Sequence, residues 1–221
     1  MARNPKDSPE ARLLAGLLAL TLDPGLAGPL LKHLGELVIW NKAYNLTAVR
    51  DPAEMVTRHL LDSLTLLPFV SGRVLDVGSG AGLPGLPLAI AKPELHVTLL
   101  DANGKKARFL RHAQRQLGLG NVEVVEERAE KYKPATPYKG VISRAFASLR
   151  EFLEATASLA APDGQWLAMK GKLDPAELAA VPPGFKVMQT PRLNVPGLAE
   201  DRHLVICSLS PQPTALSPAV P

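Results

Sequence analysis

The sequence predicts a doubly wound α/β fold: a mostly parallel seven-stranded sheet with an antiparallel edge strand, preceded by a helical extension. Three observations predict it. From Arg73 onward, short apolar runs alternate with segments of helical period, the pattern of strands joined by crossover helices. The first run opens into a glycine-rich loop, with glycines at 78, 80, 82 and 85. Before it, from Glu10 to about Phe69, only helical spacing is present.

Residues 1–9 are polar and read as a flexible N-terminus. Leu13, Leu14, Leu17 and Leu18, then Leu30, Leu31, Leu34, Leu37 and Val38, recur at spacings of three and four, with Pro24-Gly25 and Gly28-Pro29 as interruptions. Asp51-Pro52 reads as an N-cap followed by proline at the first helical position, opening a helix that runs through His59 toward Leu67. Strands are expected over 73–78, 96–101, 121–127, 140–144, 164–170, 185–190 and 203–209, and helices over 84–92, 103–117, 148–160 and 174–180. Right-handed crossovers make most of the sheet parallel. The last two strands have only the loop 191–201 between them, which implies a terminal hairpin and an antiparallel edge strand. Residues 210–221 are proline-rich and expected to be disordered. The organisation is thus a helical extension over 10–70 packed on a ligand-binding domain over 71–209. The ligand belongs at the carboxyl ends of the strands.

With 221 residues, 46% hydrophobic and 21% charged, the chain has the length and composition of one globular domain with a substantial core. Its net charge of +4 is compatible with a polyanionic partner and is weak evidence alone. A single cysteine, Cys207, excludes an intrachain disulfide and fits a reducing compartment; its apolar neighbours mark it as a buried structural thiol. No apolar stretch approaches the roughly 18 residues of a membrane span. Leu13–Leu22 follows Arg12 as a signal-peptide core would, but Asp7 and Glu10 spoil the positive region, so a helix in a cytoplasmic protein is expected. No histidine or cysteine cluster suggests a metal, and a monomer is the default expectation.

Residues 74–85, Val-Leu-Asp-Val-Gly-Ser-Gly-Ala-Gly-Leu-Pro-Gly, set the chemistry. Such a turn lets backbone N–H groups face a ligand. Gly80 to Gly85 matches the dinucleotide fingerprint, and Asp101, 19 residues after Gly82, suits the acid that accepts ribose hydroxyls. NAD and S-adenosylmethionine both carry that ribose, so the loop alone leaves both open. Asp76 is the unusual residue, because a carboxylate inside an apolar strand is costly unless something requires it. Asp-x-Gly-x-Gly-x-Gly resembles the first motif of the Rossmann-like class I S-adenosylmethionine-dependent methyltransferases, in which the acid lies near the methionine end of the cofactor.

Further stretches extend the resemblance. They are Asn41 to Thr47, His59 to Leu64, Gly82 to Ile90, Arg128-Ala129-Glu130, Ser143 to Ala147, Met169-Lys170-Gly171 and Arg202 to Val205. In this order they resemble the bacterial 16S ribosomal RNA (guanine-N7) methyltransferase family, also called glucose-inhibited division protein B, over roughly 36–207. The resemblance implies S-adenosylmethionine as cofactor and 16S rRNA of the small ribosomal subunit as partner. It implies cofactor contacts from Asp76, Gly78, Gly80, Gly82 and Leu83, a ribose-binding acid in Asp101, and Ala129 and Glu130 flanking the adenine. Arg144 is implied to face both cofactor and target base, and Asn45, His59, Lys170 and Arg202 to meet RNA.

N7 of guanine has an in-plane lone pair and no proton at neutral pH, so in-line methyl transfer there needs no general base. Catalysis would come from holding the atoms at about 3–3.5 Å. Cytosine C5 chemistry needs a nucleophilic cysteine, and Cys207 lies in an apolar run. Adenine-amine enzymes typically carry Asn/Asp-Pro-Pro-aromatic after the fourth strand, where this chain reads Ser143-Arg144-Ala145-Phe146. Two other classes stay open: an NAD-dependent oxidoreductase, and a non-catalytic sensing or ribosome-assembly protein that retains the cofactor fold. Plainer readings accompany several residues. Lys105, Lys106, Arg108, Arg111 and Arg115 suit a solvated helix more than an RNA-facing one, and His59 suits a buried hydrogen-bonded histidine as well as an RNA contact. Trp40 suits core packing, and Asp62 and Ser63 suit local bonds to backbone. Tyr44 and Phe146 are candidate stacking residues.

Overall fold

The structure, a computed structural model, describes residues 8–144 and 146–210. Helix α1 (Pro9–Ala19) starts at the last residue of the expected flexible stretch, because Ser8 caps it by accepting from the Ala11 N–H at 3.1 Å. The rest of the expected N-terminal and C-terminal tails, 1–7 and 211–221, lies outside the described residues. Helix α2 (Ala27–Tyr44) stops at Asn45, which takes the left-handed conformation at φ 50°.

Asp51 caps α3 (Pro52–Met55) as expected, its Oδ1 accepting from the Ala53 N–H at 2.7 Å. The expected continuous helix to Leu67 does not form. A π-helical segment, Val56–Leu61, intervenes before the short α4 (Asp62–Leu64). There the Asp62 N–H bonds to the carbonyls of Thr57 and His59, skipping that of Arg58 four residues back. Such π turns are frequent at functional sites.

The seven strands are β1 (Arg73–Val77), β2 (His96–Leu100), β3 (Val122–Val125), β4 (Tyr138–Ser143), β5 (Ala160–Lys170), β6 (Phe185–Gln189) and β7 (His203–Leu209). They stand in the order β3-β2-β1-β4-β5-β7-β6. β1 to β5 pair in parallel, while β7 runs antiparallel to both β5 and β6. The antiparallel hairpin thus closes one edge of the sheet, with β7 one position in from β6. β5 begins four residues earlier than expected, its pairing with β4 shifting between Tyr138 and Gly140. Helices α5 (Gly85–Ala91), α6 (Gly104–Leu117), α7 (Leu149–Thr156) and α8 (Pro175–Ala179) follow β1, β2, β4 and β5.

Alternation along the strands divides the core in two. Val74, Val97, Leu99 and Ile142 face one side, where Leu86 of α5, Phe109 of α6 and Leu13, Leu17, Leu30, Leu34 and Leu37 of the N-terminal helices close one continuous cluster. Leu75, Val77, Val141 and Trp166 face the other, against Leu149, Phe152 and Leu153 of α7. Because the N-terminal helices share a core with the sheet, they hold their polar side chains in fixed register with the strand ends. Cys207 lies in the second cluster, fully buried, and burial pushes its thiol up to about 12. Among the described residues, no helix is long and apolar enough to cross a membrane.

Candidate functional site

β1 sends the chain one way to β2 and the sheet continues the other way through β4, so a crevice opens at their carboxyl ends. Val77 and Gly78 from β1, Leu100 and Asp101 from β2, Glu127 to Glu130 after β3, and Phe146 after β4 line a cleft of about 260 Å³. Val77, Leu100, Ala129 and Phe146 give it apolar walls. Asp101 and Glu130 supply acceptors, and Lys106 of α6 a cation. Asp101 is buried and held: its Oδ2 accepts from the Gly80 N–H and its Oδ1 from the Asn103 N–H, both at 2.9 Å. Lys106 Nζ stands 3.9 Å from the same Oδ2.

The loop after β1 turns through Gly78, Gly80 and Gly82, with φ of 72°, 55° and 78°. Gly82 shapes the turn and lines none of the cavities: a Cβ there would lie 2.7 Å from Leu86 Cγ and 3.3 Å from Leu110 Cδ2. Asp76 sits beneath the loop, not in the cleft wall. Its Oδ2 accepts from the Gly85 N–H at 3.0 Å, and its Oδ1 is buried without a partner. Burial pushes its carboxyl up to about 7, against the pull of the Gly85 N–H and Arg144. One oxygen of this strand carboxylate thus serves the loop above it, and the other is buried among its neighbours.

Two further hollows continue from the cleft. One, of about 180 Å³, is lined by Leu46, Thr47, Gly78, Ser79, Gly80, Ala81, Leu83, Lys106 and Arg144. It shares Gly78 and Lys106 with the cleft. The other, of about 350 Å³, is formed by Arg58, His59, Asp62, Arg144, Lys170 and Arg202 with Val49, Met169 and Gly171. Arg144 belongs to both hollows, so the three cavities run in series along one edge of the sheet.

In the third cavity every charge has a partner. Arg144 Nη1 lies 3.1 Å from Asp62 Oδ2 and 3.4 Å from the Arg58 carbonyl that the π segment skips. Arg202 Nε stands 3.4 Å from Asp62 Oδ1. Asp62 is 3% exposed; burial raises its pKa, and the two arginines oppose that rise. Lys170 Nζ pairs with Glu177 Oε1 at 2.7 Å, and Arg58 pairs with Glu200. His59 is buried with Nε2 2.8 Å from Thr47 Oγ1, and burial, then Arg144, lowers its pKa to about 4. Asn45 is exposed outside all three cavities, its Oδ1 accepting from Arg50 Nη2 at 2.8 Å.

The structure thus brings Gly78, Asp101, Ala129 and Glu130 into one cleft, Gly80 and Leu83 into the adjoining hollow, and His59, Lys170 and Arg202 around Arg144. It leaves Asp76, Gly82 and Asn45 behind or outside the walls. Asp62 is the site residue that sequence reasoning assigned to local bonding; only its position one turn after His59 hinted otherwise. Ser63 does bond locally, donating from Oγ to the His59 carbonyl at 2.6 Å. Lys106, read with its helix as solvated, instead turns into the seam between cavities. Phe146 lies in the cleft wall against Phe152, centroids 5.4 Å apart, and Trp40 packs on Tyr44, Phe109 and His112.

A carboxylate on two backbone N–H groups, apolar walls and a glycine loop suit an adenosine-bearing cofactor, and the cationic neighbour suits an anionic second substrate. Comparison with known proteins agrees. The family model described as rRNA small subunit methyltransferase G matches residues 29–205. Ribosomal RNA small subunit methyltransferase G of Xanthomonas campestris pv. campestris (strain 8004) is 52% identical over 197 residues, covering 89% of this chain and 93% of its own. The enzyme of that name from Stenotrophomonas maltophilia (strain K279a) is 53% identical over 196 residues, covering 88% and 92%. Among solved structures, the DhpI–SAH complex superposes with a TM-score of 0.56 at 19% identity, covering 82% of this chain and 97% of that one. An Aquifex aeolicus SAM-dependent methyltransferase gives 0.54 at 19% identity, covering 72% and 94%. These last two support the Rossmann-like fold. The chain belongs to the rRNA small subunit methyltransferase G family and is an S-adenosylmethionine-dependent methyltransferase.

Proposed function

We propose that this enzyme methylates N7 of a guanosine in the decoding-region loop of 16S rRNA, acting on the small ribosomal subunit. The observation that carries the reading is the series of cavities, in which Arg144 stands between the glycine-loop hollow and a cationic pocket.

Asp101 would hold the ribose of the cofactor, Ala129 and Glu130 would flank its adenine, and Gly78, Gly80, Leu83 and Arg144 would border its methionine end. When bound, S-adenosylmethionine supplies a methyl group activated by its sulfonium. Guanine N7 attacks without losing a proton, so no side chain here acts as general base. The protein's part is orientation and exclusion of water, contributions of several kcal/mol to the barrier. Arginine bidentate to guanine O6 and N7 would block the attacking atom. Arg144 therefore takes O6 alone or a neighbouring phosphate, which agrees with Asp62 holding one of its amino groups. Lys170, neutralised by Glu177, tunes the pocket more than it charges it.

Docking falls to this face and the N-terminal helices, which favours a structured substrate over free oligonucleotide. Affinity for RNA falls as salt rises. The reading is tested by transfer of labelled methyl from S-adenosylmethionine to small subunits from a strain lacking the enzyme. Label should enter 16S rRNA and fall sharply with Arg144→Ala. Absence of label in subunits, naked 16S rRNA and assembly intermediates alike would overturn the reading in favour of a cofactor-binding assembly or sensing protein.

A further inference from the structure

We infer that Asp62 is a positioning residue for RNA: it holds Arg144 and Arg202 side by side so that their free N–H groups face the substrate. This rests on the reading of the third cavity as the RNA pocket.

Arg144 follows β4 and Arg202 precedes β7, strands separated in the sheet by β5. The residue between them comes from neither strand but from the N-terminal helices, where Asp62 follows the π segment. Each of its oxygens faces one arginine, at 3.1 Å for Arg144 and 3.4 Å for Arg202. The carboxylate is 4% exposed, while the two arginine side chains are 26% and 22% exposed. The acid is thus inaccessible to substrate and the guanidinium groups are not. A guanidinium has five N–H donors in a fixed fork. Hydrogen bonds to Asp62 and to the Arg58 carbonyl fix the plane of Arg144. Arg202 is drawn to Asp62 by charge at 3.4 Å and donates from Nη1 to the Asp201 carbonyl at 2.9 Å; both arginines keep donors for a phosphodiester or guanine O6. Arg58 and Lys170 have Glu200 and Glu177, so Arg144, Arg202 and Asp62 leave the cavity one net positive charge.

The π segment supports the assignment. It leaves the Arg58 carbonyl for Arg144 Nη1 at 3.4 Å, so two neighbouring groups of one helical stretch fix the same guanidinium.

The inference makes a prediction opposite to simple electrostatics. Deleting a negative charge beside a polyanion site should tighten RNA binding. If Asp62 positions the arginines, Asp62→Asn weakens it instead. Methyl transfer to small subunits lacking the modification should show KM raised at least about five-fold, with kcat changed less than about three-fold. Isothermal titration should show S-adenosylmethionine affinity changed less than the KM for subunits, because of the two arginines that Asp62 holds only Arg144 borders the glycine-loop hollow. The slope of log K against log salt should become shallower by about one, the loss expected for an ordered phosphate contact. Arg202→Met should raise KM as well, and the double variant should cost less than the product of the single effects.

An unchanged or lowered KM in Asp62→Asn would overturn the inference while leaving wild-type methylation intact. So would parallel losses of melting temperature, kcat and cofactor affinity, which would make Asp62 a structural residue. Should Asp62→Asn not fold, Arg202→Met alone decides: a KM equal to wild type would leave Asp62 nothing to position there. Failure of the wild-type enzyme to methylate the subunits would instead overturn the functional reading itself.

Discussion

Arg144 and Asp62, 82 positions apart in the chain, meet at 3.1 Å and tie the end of β4 to the N-terminal helices at the point where two cavities join. The contact makes the helical extension part of the site. Removing the arginine has two consequences. Arg144→Ala leaves Asp62 buried with Arg202 as its remaining partner, which should cost about 2 kcal/mol, below the usual penalty for orphaning a buried charge because Arg202 stays. It should also lower methyl transfer at least about 100-fold, and Arg144→Lys should recover little, since an ammonium lacks the planar fork. Thermal melts and single-turnover transfer check the two effects separately. Near-normal turnover and RNA affinity in Arg144→Ala would remove it from the site.

His33 supplies a second prediction. It is fully buried on α2 near Phe109, and neither ring nitrogen has a hydrogen-bond partner. Burial lowers its pKa to about 4 from 6.5, with His59 adding to the effect. Between those values the unfolded chain binds a proton that the folded chain does not, so stability falls as pH drops from about 6.5 toward 4. His33→Leu removes that penalty. The variant's stability relative to wild type should rise by about 2 kcal/mol between pH 7.5 and pH 5, as read from denaturant melts at both values. A pH-independent difference would contradict the assignment.

Asp76 carries the opposite sign. Its folded pKa is raised to about 7 from 3.8, so the folded chain holds a proton that the unfolded chain has lost between those values. Its contribution to stability therefore falls as pH rises through this window. Asp76→Asn, which keeps an oxygen for the Gly85 N–H, should gain stability over wild type on going from pH 5 to pH 8. The difference in melting temperature between the two proteins, taken across that range, is the observable. A melting temperature of the variant minus that of wild type that falls with rising pH would be the wrong sign.

Much of this was legible in the sequence. Buried parallel strands read as apolar runs, and the alternation with helices placed the first turn, its glycines and Asp101 without reference to any contact. The Asp51-Pro52 cap was legible for the same reason: its chemistry is local. What the sequence hid was long-range or register-dependent. The π segment at Val56–Leu61 has no signature in apolar spacing, yet it decides where Asp62 falls and which carbonyl Arg144 reaches. Asp62 resembled a capping acid because its partners come from distant strand ends. Lys106 shares a helix with four other cations, and only the packing of α6 against α2 and β3 turns this one toward Asp101.

Gly82 separates loop shape from ligand contact. It lies at φ 78°, and an added Cβ would meet Leu86 and Leu110, both fully buried. Gly82→Ala should cost about 2 kcal/mol from overpacking and left-handed strain together. Cofactor affinity measured by titration should fall with it, because Gly78 and Gly80 are held by the same turn. A variant as stable as wild type would mean the turn tolerates a side chain.

The target atom admits one direct measurement. A guanine methylated at N7 is cationic, so borohydride reduction followed by aniline cleaves the RNA chain at that nucleotide. Small subunits from a strain lacking the enzyme, treated with the enzyme and S-adenosylmethionine, should give 16S rRNA that cleaves at a single guanosine in the decoding-region loop. RNA that acquires labelled methyl yet resists this cleavage would place the methyl on another atom and contradict the account.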